Sequence, residues 1–350
     1  MARVVGIDPG TVSVDVCGIV DGQLYLDRSW PTPEALARPE EFIELLTESG
    51  IPDLVAGPSG YGLPIVRATD VRDRDLRLAF LAAADEPGGL GGLRSFVRRL
   101  GAAGLPVIYT PAVIHLGTVP LHRKVNRVDM GTADKLCAAV LAVTDYCQRH
   151  AVSPHQASFI LIELGGAFTA GVAVEQGEVV DGVGGTSGPI GWRAAGALDG
   201  EVAFLAGSIT KGDLFQGGVE TMTAREPRNQ PLAIRAYLEG AEKTVRQLRC
   251  SAPSADEILL SGRHAADEEM QRVLGEHLSD IGPVRRLNGK ASIAKQGAEG
   301  AALLADGLAG GPTRAVVDRL RVREASGTVL DHLVFISPAA ARQRLGIPHD

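Results

Sequence analysis

The sequence predicts an α/β protein built from two domains, and three observations lead to this prediction. The chain has 350 residues, which is enough for two domains of ordinary size with a core in each. Predicted strands alternate with predicted helices, a pattern that favours mostly parallel sheets covered by helices on both faces. The first segment of about 30 residues is also repeated, position for position, near the middle of the chain.

Each copy of the repeat contains a buried strand that ends in an acid, then a glycine turn and a returning strand. The first copy ends its strand at Asp8 and has Gly10 in the turn, whereas the second ends at Glu163 and has Gly165. Each turn glycine lies two residues after its acid. A hairpin glycine follows fourteen residues after each acid, at Gly22 and Gly177. This shared register makes chance agreement between two ordinary hairpins the weaker explanation.

Glycine turns of this kind predict phosphate binding. Their backbone N–H groups point into one concavity that holds phosphate oxygens, and glycine allows close approach because it has no Cβ. An acid beside such a turn cannot bind phosphate, but it can hold the hydrated Mg²⁺ that accompanies a nucleotide. Asp8 and Glu163 are therefore predicted Mg²⁺ ligands. Together the two turns predict a cleft that holds a polyphosphate from both sides, although either turn alone also fits an ordinary hairpin.

The other elements of the first half follow from apolar spacing and from flanking turn residues. These patterns predict helices over residues 39–49, 90–101 and 132–150, and strands over residues 53–56 and 107–109. The last helix is predicted to have Thr132 as its N-cap. A glycine run at residues 88–92 is interpreted as a surface loop, and residues 153–154 mark the predicted crossing to the second domain.

The second half contains further predicted helices and strands after its copy of the repeat. Predicted helices cover residues 200–206 and 232–248, preceded by a loop over residues 184–197, and a strand is predicted over residues 254–260. Residues 291–309 are rich in alanine and glycine. A helix there is suited to packing closely against a neighbour or to acting as a hinge.

Composition excludes several classes of function. A net charge of −7 provides no basic field to attract DNA or RNA, whose binding depends on neutralising phosphates. No signal segment and no apolar run of membrane-spanning length is apparent, so we expect a cytoplasmic protein without nucleic-acid or membrane partners. The cysteines show no paired spacing and are interpreted as buried thiols in a reducing compartment: Cys17, Cys137, Cys147 and Cys250.

Five segments, in this order, resemble the signature motifs of the superfamily that contains acetate and sugar kinases, heat-shock chaperones and actin. Residues 8–13 resemble its first phosphate motif, and residues 163–169 resemble its second. Residues 131–135 are similar to the start of its first connecting helix, residues 258–263 to its adenosine motif and residues 294–307 to its second connecting helix. The resemblance rests on the ordered set, which spans most of the chain.

The resemblance implies two ribonuclease-H-like domains of the actin-like ATPase type, each a mixed sheet covered by helices, with a nucleotide cleft between them. The first domain would contain residues 1–153 and 311–350, and the second, nucleotide-binding domain residues 154–310. The implied cofactors are ATP and Mg²⁺. The implied nucleotide-binding residues are Gly10, Thr11, Ser13, Gly165, Gly166, Thr169, Gly184, Gly185, Ser261, Gly262 and Arg263.

Residues 57–62 and 122–135 are more specifically similar to an uncharacterised family labelled as predicted butyrate kinases. One feature differs from acetate and butyrate kinases themselves. They begin with an asparagine-centred turn, whereas this chain has Asp8, as sugar kinases and chaperones do. This difference leaves the acceptor open between a carboxylate and a hydroxyl group.

Asp134 is the predicted catalytic acid on the acceptor side, acting together with Asp8. It lies in the first turn of the predicted helix after Thr132, where the superfamily often places an aspartate. Residues 133–135 also resemble a segment of type III pantothenate kinases. The alternative is an acid that only stabilises the helix N-terminus electrostatically. Asp129, five residues earlier, is the second candidate.

A basic cluster of Arg123, Lys124 and Arg127 leads into this helix. In an acidic protein, such a cluster beside an acceptor acid predicts an anionic small-molecule acceptor, because arginine binds carboxylate and phosphate groups in a bidentate manner. We therefore assign Arg123 and Arg127 a catalytic role, with a solvated surface loop as the alternative. Residues 193–199 faintly resemble an arginine- and aspartate-containing region of acetate kinases.

Three classes of function fit the sequence. The favoured one is an ATP-dependent kinase that converts a carboxylate into an acyl phosphate, with a hydroxyl-directed kinase as its alternative. The second is a nucleotide switch of the actin or chaperone type. The third is a non-catalytic binding protein, because Ala167 replaces a glycine found in many relatives. A homodimer is left open, and the two domains are expected to close around the nucleotide.

Overall fold

The computed structural model describes residues 2–10, 12–57, 60–82 and 91–347. Its strands are β1 (Arg3–Pro9), β2 (Ser13–Val20), β3 (Gln23–Pro31), β4 (Leu54–Gly57), β5 (Val66–Arg67), β6 (Val107–Tyr109), β7 (Phe159–Leu164), β8 (Thr169–Glu175), β9 (Glu178–Val183), β10 (Ile258–Ser261) and β11 (Val284–Arg286). Thr11 and residues 88–90 of the predicted surface loop lie outside the described residues.

The helices connect and cover these strands. They are α1 (Thr32–Ala37), α2 (Pro39–Thr47), α3 (Asp73–Phe80), α4 (Gly91–Ala102), α5 (Leu121–Lys124), α6 (Ala133–His150), α7 (Gly200–Ala206), α8 (Val219–Arg225), α9 (Gln230–Arg249), α10 (Glu268–His277), α11 (Gln296–Leu308), α12 (Arg314–Arg319) and α13 (Pro338–Arg344). Within the described ranges, none of them is long and apolar enough to cross a bilayer.

The strands form two sheets with matching topology. The first sheet has the order β3–β2–β1–β4–β6–β5, and the second has the order β9–β8–β7–β10–β11. In both, the strand that ends in the acid pairs antiparallel with the next strand and parallel with a later one. This confirms the α/β fold of two mixed sheets covered by helices. The expectation of mostly parallel sheets is wrong, because tight hairpins join the first three strands of each sheet and make them antiparallel.

The two copies of the repeat also share details of backbone geometry. Gly10 N donates to Ser13 O at 2.8 Å, and Gly165 N donates to Phe168 O at 3.0 Å, so both glycine turns are closed by the same hydrogen bond. The strand after each turn carries a register shift ten residues after the acid, at residues 18–19 and 173–174. The structural repeat therefore extends beyond the pattern that the sequence predicts.

Helices α6 and α11 pack closely against each other and against the sheets. A Cβ atom on Gly300 of α11 would overlap the carbonyl oxygen of Cys137 in α6, and one on Gly6 of β1 would overlap the backbone of Ala298 in α11. The close packing expected from the alanine- and glycine-rich segment is confirmed. Buried side chains of both sheets and both helices form one hydrophobic cluster. The domain boundaries near residues 153 and 310 stay a prediction.

Helix α11 begins at Gln296, two residues after the start of the segment that resembles the second connecting helix and five after the start of the alanine- and glycine-rich stretch. The carboxylate of Asp27 in β3 accepts hydrogen bonds from the backbone N–H groups of Ser292, Ile293 and Ala294, at 2.8, 3.0 and 2.7 Å. These contacts hold the segment in a non-helical conformation. Helices α3 and α10 were not predicted from the sequence.

The cysteines are all free thiols, in agreement with their lack of paired spacing. Cys17 and Cys137 are buried as expected. The expectation of burial is wrong for Cys250, which lies exposed at the end of α9.

Candidate active site

A cleft of about 560 Å³ is lined by residues from both halves of the molecule. The turn after β1 lies on one side of it and the turn after β7 on the other. Nine residues singled out from the sequence line this cleft: Asp8, Gly10, Ser13, Asp134, Glu163, Gly165, Gly166, Gly262 and Arg263. The fold therefore brings both acids of the repeat and residues from all five motifs, which are far apart in the sequence, into one site.

Asp8 is buried at the end of β1 and is crowded by negative charge. It pairs across the strands with Asp15 of β2, which is also buried. Burial, with the nearby charge of Asp134, raises the pKa of Asp8 to about 7. A Cβ atom on Gly297 would lie only 2.6 Å from Asp8 Oδ2, so this glycine lets the start of α11 approach the carboxylate. A bound cation would relieve the crowding of the two acids.

Asp134 lies in the first turn of α6, as predicted, and its carboxylate is held by neighbouring donors. Thr132 is the N-cap residue of α6, as predicted, but its hydroxyl donates to Asp134 Oδ1 at 2.5 Å and makes no capping hydrogen bond to the helix backbone. The Lys135 ammonium is paired with the same carboxylate. Burial opposes ionisation, but Lys135 and Thr132 together hold the pKa of Asp134 below its usual value. Asp134 is therefore an ionised carboxylate in the cleft.

Lys135 links the two halves of the site. Its Nζ contacts Asp134 and lies 2.8 Å from Glu163 Oε1, the acid at the end of β7. Burial alone would lower the pKa of Lys135, but the charges of Asp134 and Glu163 raise it. A charged lysine thus ties helix α6 to the second turn.

Lys295 provides a second cation, on the first turn. It is the N-cap residue of α11, and its Nζ lies 2.9 Å from Asp15 Oδ2. A Cβ atom on Gly10 would lie 2.9 Å from the same Nζ, so the ammonium rests directly on the turn backbone. Sequence reasoning missed both lysines, although Lys135 lies inside the motif at residues 131–135 and Lys295 inside the motif at residues 294–307.

The glycines of the second turn, and Gly262 after β10 beside it, differ in how much space surrounds them. A Cβ atom on Gly165 would meet Phe168 O at 2.7 Å, and one on Gly262 would meet Leu164 O at 2.7 Å. Gly262 also has a φ of +88°, which glycine adopts readily. In contrast, a Cβ atom on Gly166 would meet only the Arg263 side chain, at 3.8 Å. The backbone at Gly166 is thus open to the cleft.

Four residues implied as nucleotide ligands do not line the cleft in the described part of the chain. Thr169 and Ser261 are buried in strands β8 and β10. Gly184 packs against the carboxylate of Asp129, and Gly185 packs against the Phe168 ring. Thr11, a fifth implied ligand, lies outside the described residues.

The basic cluster also lies away from the cleft lining. Arg123 donates to Val180 O at 2.7 Å, the buried Lys124 donates to Leu116 O at 2.8 Å, and Arg127 is exposed. The second candidate acid, Asp129, is buried and accepts from the backbone N–H and the hydroxyl of Thr186, both at 3.0 Å. These contacts give Asp129, Arg123 and Lys124 roles in the packing of loops.

The region that resembles acetate kinases lies beside the cleft wall. The Arg193 guanidinium carbon is 5.9 Å from the centre of the Phe215 ring, which packs edge-on against Phe168 of the cleft lining. Asp199 is the N-cap of α7, where its carboxylate accepts from Glu201 N at 2.8 Å.

Comparison with known proteins gives a family and a fold. Residues 6–335 match the family described as a protein of unknown function, DUF1464. The chain belongs to the DUF1464 family. A comparison with curated proteins gave no match. The more specific likeness to predicted butyrate kinases stays a prediction.

Solved structures of acyl kinases resemble this DUF1464 protein in fold. A propionate kinase from Francisella tularensis subsp. tularensis SCHU S4 has a TM-score of 0.58 at 14% identity, covering 86% of this chain and 98% of that chain. An acetate kinase from Entamoeba histolytica has a TM-score of 0.57 at 11% identity, covering 80% and 87%. The acetate kinase from Porphyromonas gingivalis has 0.55 at 14%, covering 80% and 88%. These likenesses agree with the α/β fold predicted from the sequence.

Proposed function

We propose that this protein is an ATP-dependent phosphotransferase that acts on a small molecule. One observation carries the proposal: two glycine turns closed by the same hydrogen bond line a single cleft, together with the acids at their ends. Phosphoryl transfer depends on positioning and charge neutralisation, which such a site supplies. The solved structures that share the fold are named as acetate and propionate kinases, which agrees with this class of reaction.

The site fits a bound Mg²⁺ on the first turn better than on the second. Asp8 is a buried carboxylate beside another acid, an arrangement that a divalent cation stabilises. Glu163 is already paired with Lys135. Mg²⁺ held at Asp8 would neutralise charge on the transferred phosphoryl group. The turn backbone would hold the phosphates, and Asp134 would face the acceptor.

The geometry favours a hydroxyl group as the acceptor. The sequence favours a carboxylate because of the basic cluster, but Arg123 and Lys124 are bonded to backbone carbonyl groups elsewhere. Asp134 is a carboxylate in the cleft lining and could accept a proton from a hydroxyl group, a role that a carboxylate acceptor would not need. The Phe80 and Phe168 side chains also line the cleft and suit the apolar face of a small alcohol or sugar. A carboxylate acceptor, as in the named neighbours, is the second candidate.

Nucleotide binding is tested by Gly166→Ala. The added methyl group has space in the fold but would obstruct phosphate oxygens at the turn. We expect calorimetric titration with Mg²⁺ and a non-hydrolysable ATP analogue to show binding to the wild type and about 10-fold weaker binding to the variant. Gly117→Ala is the matched control, because nothing lies within 4 Å of its added Cβ atom and Gly117 does not line the cleft. No binding to the wild type would contradict the proposal.

The acceptor is tested by measuring ADP release with a panel of sugars and polyols and, separately, with acetate, propionate and butyrate. Hydroxamate trapping detects an acyl phosphate product from the second group. With a hydroxyl acceptor, Asp134→Asn should lower turnover by about 100-fold or more, because the general base is lost. A carboxylate needs no base and would tolerate this change better. ATP hydrolysis that no acceptor stimulates would instead support a switch of the actin or chaperone type.

A further inference from the structure

The Lys295 ammonium lies over the first glycine turn, although Lys295 belongs to a distant segment of the chain. Its Nζ lies 2.9 Å from Asp15 Oδ2 and 3.5 Å from Ser13 O, which places the ammonium over the first turn. The close approach to Gly10 described above puts it on the concave backbone that is predicted to hold phosphate oxygens. Lys295 comes from the opposite end of the chain, so the fold delivers a cation to a turn that has none of its own.

The surroundings of Lys295 hold its ammonium in place. Asp15 is only 1% exposed and accepts a hydrogen bond from the Ser13 hydroxyl at 2.7 Å, so its carboxylate has a fixed position. An ammonium group has three N–H donors, and the two contacts named above use two of them. The Lys295 side chain is 42% exposed and lines the cleft. It is therefore both fixed by the protein and accessible to a ligand.

Lys135, in the same cleft, is more buried than Lys295 and makes more ion pairs. Its side chain is 15% exposed and its ammonium is committed to two carboxylates, one from each half of the site. Lys295 contacts a single carboxylate among the ion pairs of the described residues. Of these two lysines, Lys295 is therefore the one whose ammonium can contact a bound anion.

The negative charge of the two acids beside the first turn also favours a cation between them and a bound phosphate. Asp8 and Asp15 lie on neighbouring strands in direct register, and both are buried. A polyphosphate approaching these acids would be repelled unless positive charge lies between them and the phosphates. Lysine binds phosphate as a point charge, and its contribution increases with the charge of the ligand.

We propose that Lys295 binds the phosphate groups of the nucleotide at the first turn, with Asp15 as the residue that positions it. This inference rests on the proposed function and adds a ligand-binding residue to it. The Lys295 ammonium would contact phosphate oxygens beside the backbone N–H groups of the turn. Its contribution to affinity should therefore depend on how many phosphates the ligand carries.

The test compares Lys295→Met with Lys290→Met, the same change at an exposed lysine of the same segment that does not line the cleft. Each variant is titrated calorimetrically with ATP, ADP and adenosine in the presence of Mg²⁺. We expect Lys295→Met to weaken ATP binding by about 10-fold or more and ADP binding less, and to leave adenosine binding within about 2-fold. Lys290→Met should change none of them. Lys295→Arg keeps the charge and should retain most of the ATP affinity.

Several results would overturn the inference. Unchanged ATP affinity in Lys295→Met would remove the proposed contact. An equal loss of ATP and adenosine affinity would show that the residue acts through the general structure of the cleft, and urea unfolding of the variant would verify this. If the wild type binds adenosine but gains nothing from added phosphates, the inference fails. If the wild type binds no nucleotide at all, the proposed function itself fails, so the two failures are distinguishable.

Discussion

In the first half of the molecule the acid that precedes the glycine turn is buried, whereas in the second half that acid is partly exposed and paired with a lysine. Across the hairpin, Asp8 faces Asp15, but Glu163 faces Ala170. The hydrogen bond that closes the turn is the same in both halves. The repeat therefore preserves the backbone, while the charges that it carries differ.

The lysines at the two turns follow the same division. Lys295 reaches the first turn from α11 and pairs with Asp15, whereas Lys135 reaches the second turn from α6 and pairs with Asp134 and Glu163. The first turn thus collects acids and an accessible cation, which suits a metal–phosphate ligand. The second turn carries a mostly buried network in which one lysine is shared by two carboxylates, which suits a connection between the halves.

The largest expected difference between the halves is in turnover. Asp8→Asn removes the proposed Mg²⁺ ligand and should lower the rate of ATP turnover by about 1,000-fold, since charge on the transferred phosphoryl group is no longer neutralised. Glu163→Gln changes an acid that is already paired with Lys135, so we expect a loss of only about 10-fold. Initial rates at saturating ATP and Mg²⁺ measure both changes.

Circular dichroism of both variants serves as the control for folding. Equal losses of activity in Asp8→Asn and Glu163→Gln would contradict the division between the turns and would favour a metal ion shared by both acids. A larger loss in Glu163→Gln would move the proposed metal site to the second turn.

Much of the secondary structure could be predicted because it depends on the spacing of residues that are close in the sequence. The acids, turn glycines and hairpin glycines recur at fixed spacing, and spacing determines strand pairing and the reversal of the chain. Helix α2 was predicted over residues 39–49 and occupies Pro39–Thr47, since its apolar positions and starting proline lie within the segment itself. The placement of Asp134 in the first turn of α6 follows from the same kind of pattern.

The charge network could not be predicted because its partners are distant in the sequence. Lys295 lies 282 residues from Ser13, and no local pattern connects them. Arg123 illustrates the same limit: the sequence does not indicate that a backbone carbonyl of β9 accepts its hydrogen bond, and its predicted catalytic role stays a prediction. The start of α11 at Gln296 has a similar cause, because the N–H groups before it are bonded to Asp27 of another sheet strand.

A difference in stability between the two lysines would sharpen the comparison further. Lys135→Met leaves the carboxylates of Asp134 and Glu163 without their shared cation, so we expect the free energy of unfolding to fall by about 3 kcal/mol. Lys295→Met should cost less, because it leaves one paired carboxylate without its cation instead of two, and Asp15 keeps the Ser13 hydroxyl. Urea unfolding followed by circular dichroism measures both values.

Lys243→Met provides the surface reference for this measurement. Lys243 pairs with Glu239 on α9, and both side chains are largely exposed, so its loss should change the unfolding free energy by less than about 1 kcal/mol. If Lys135→Met were as mild as Lys243→Met, the buried network would not connect the halves.

The smallest expected effect concerns the helix crossing that joins the two halves. An alanine at Gly300 would place its Cβ on the carbonyl oxygen of Cys137, so α6 and α11 must separate, and we expect Gly300→Ala to lower the free energy of unfolding by about 2 kcal/mol. Gly275→Ala in α10 has open space around the new methyl group and should be neutral or stabilising by about 0.5 kcal/mol. Because both sheets share one buried cluster with α6 and α11, Gly300→Ala should shift a single transition, whereas separate transitions for the two halves would show that the crossing does not couple them.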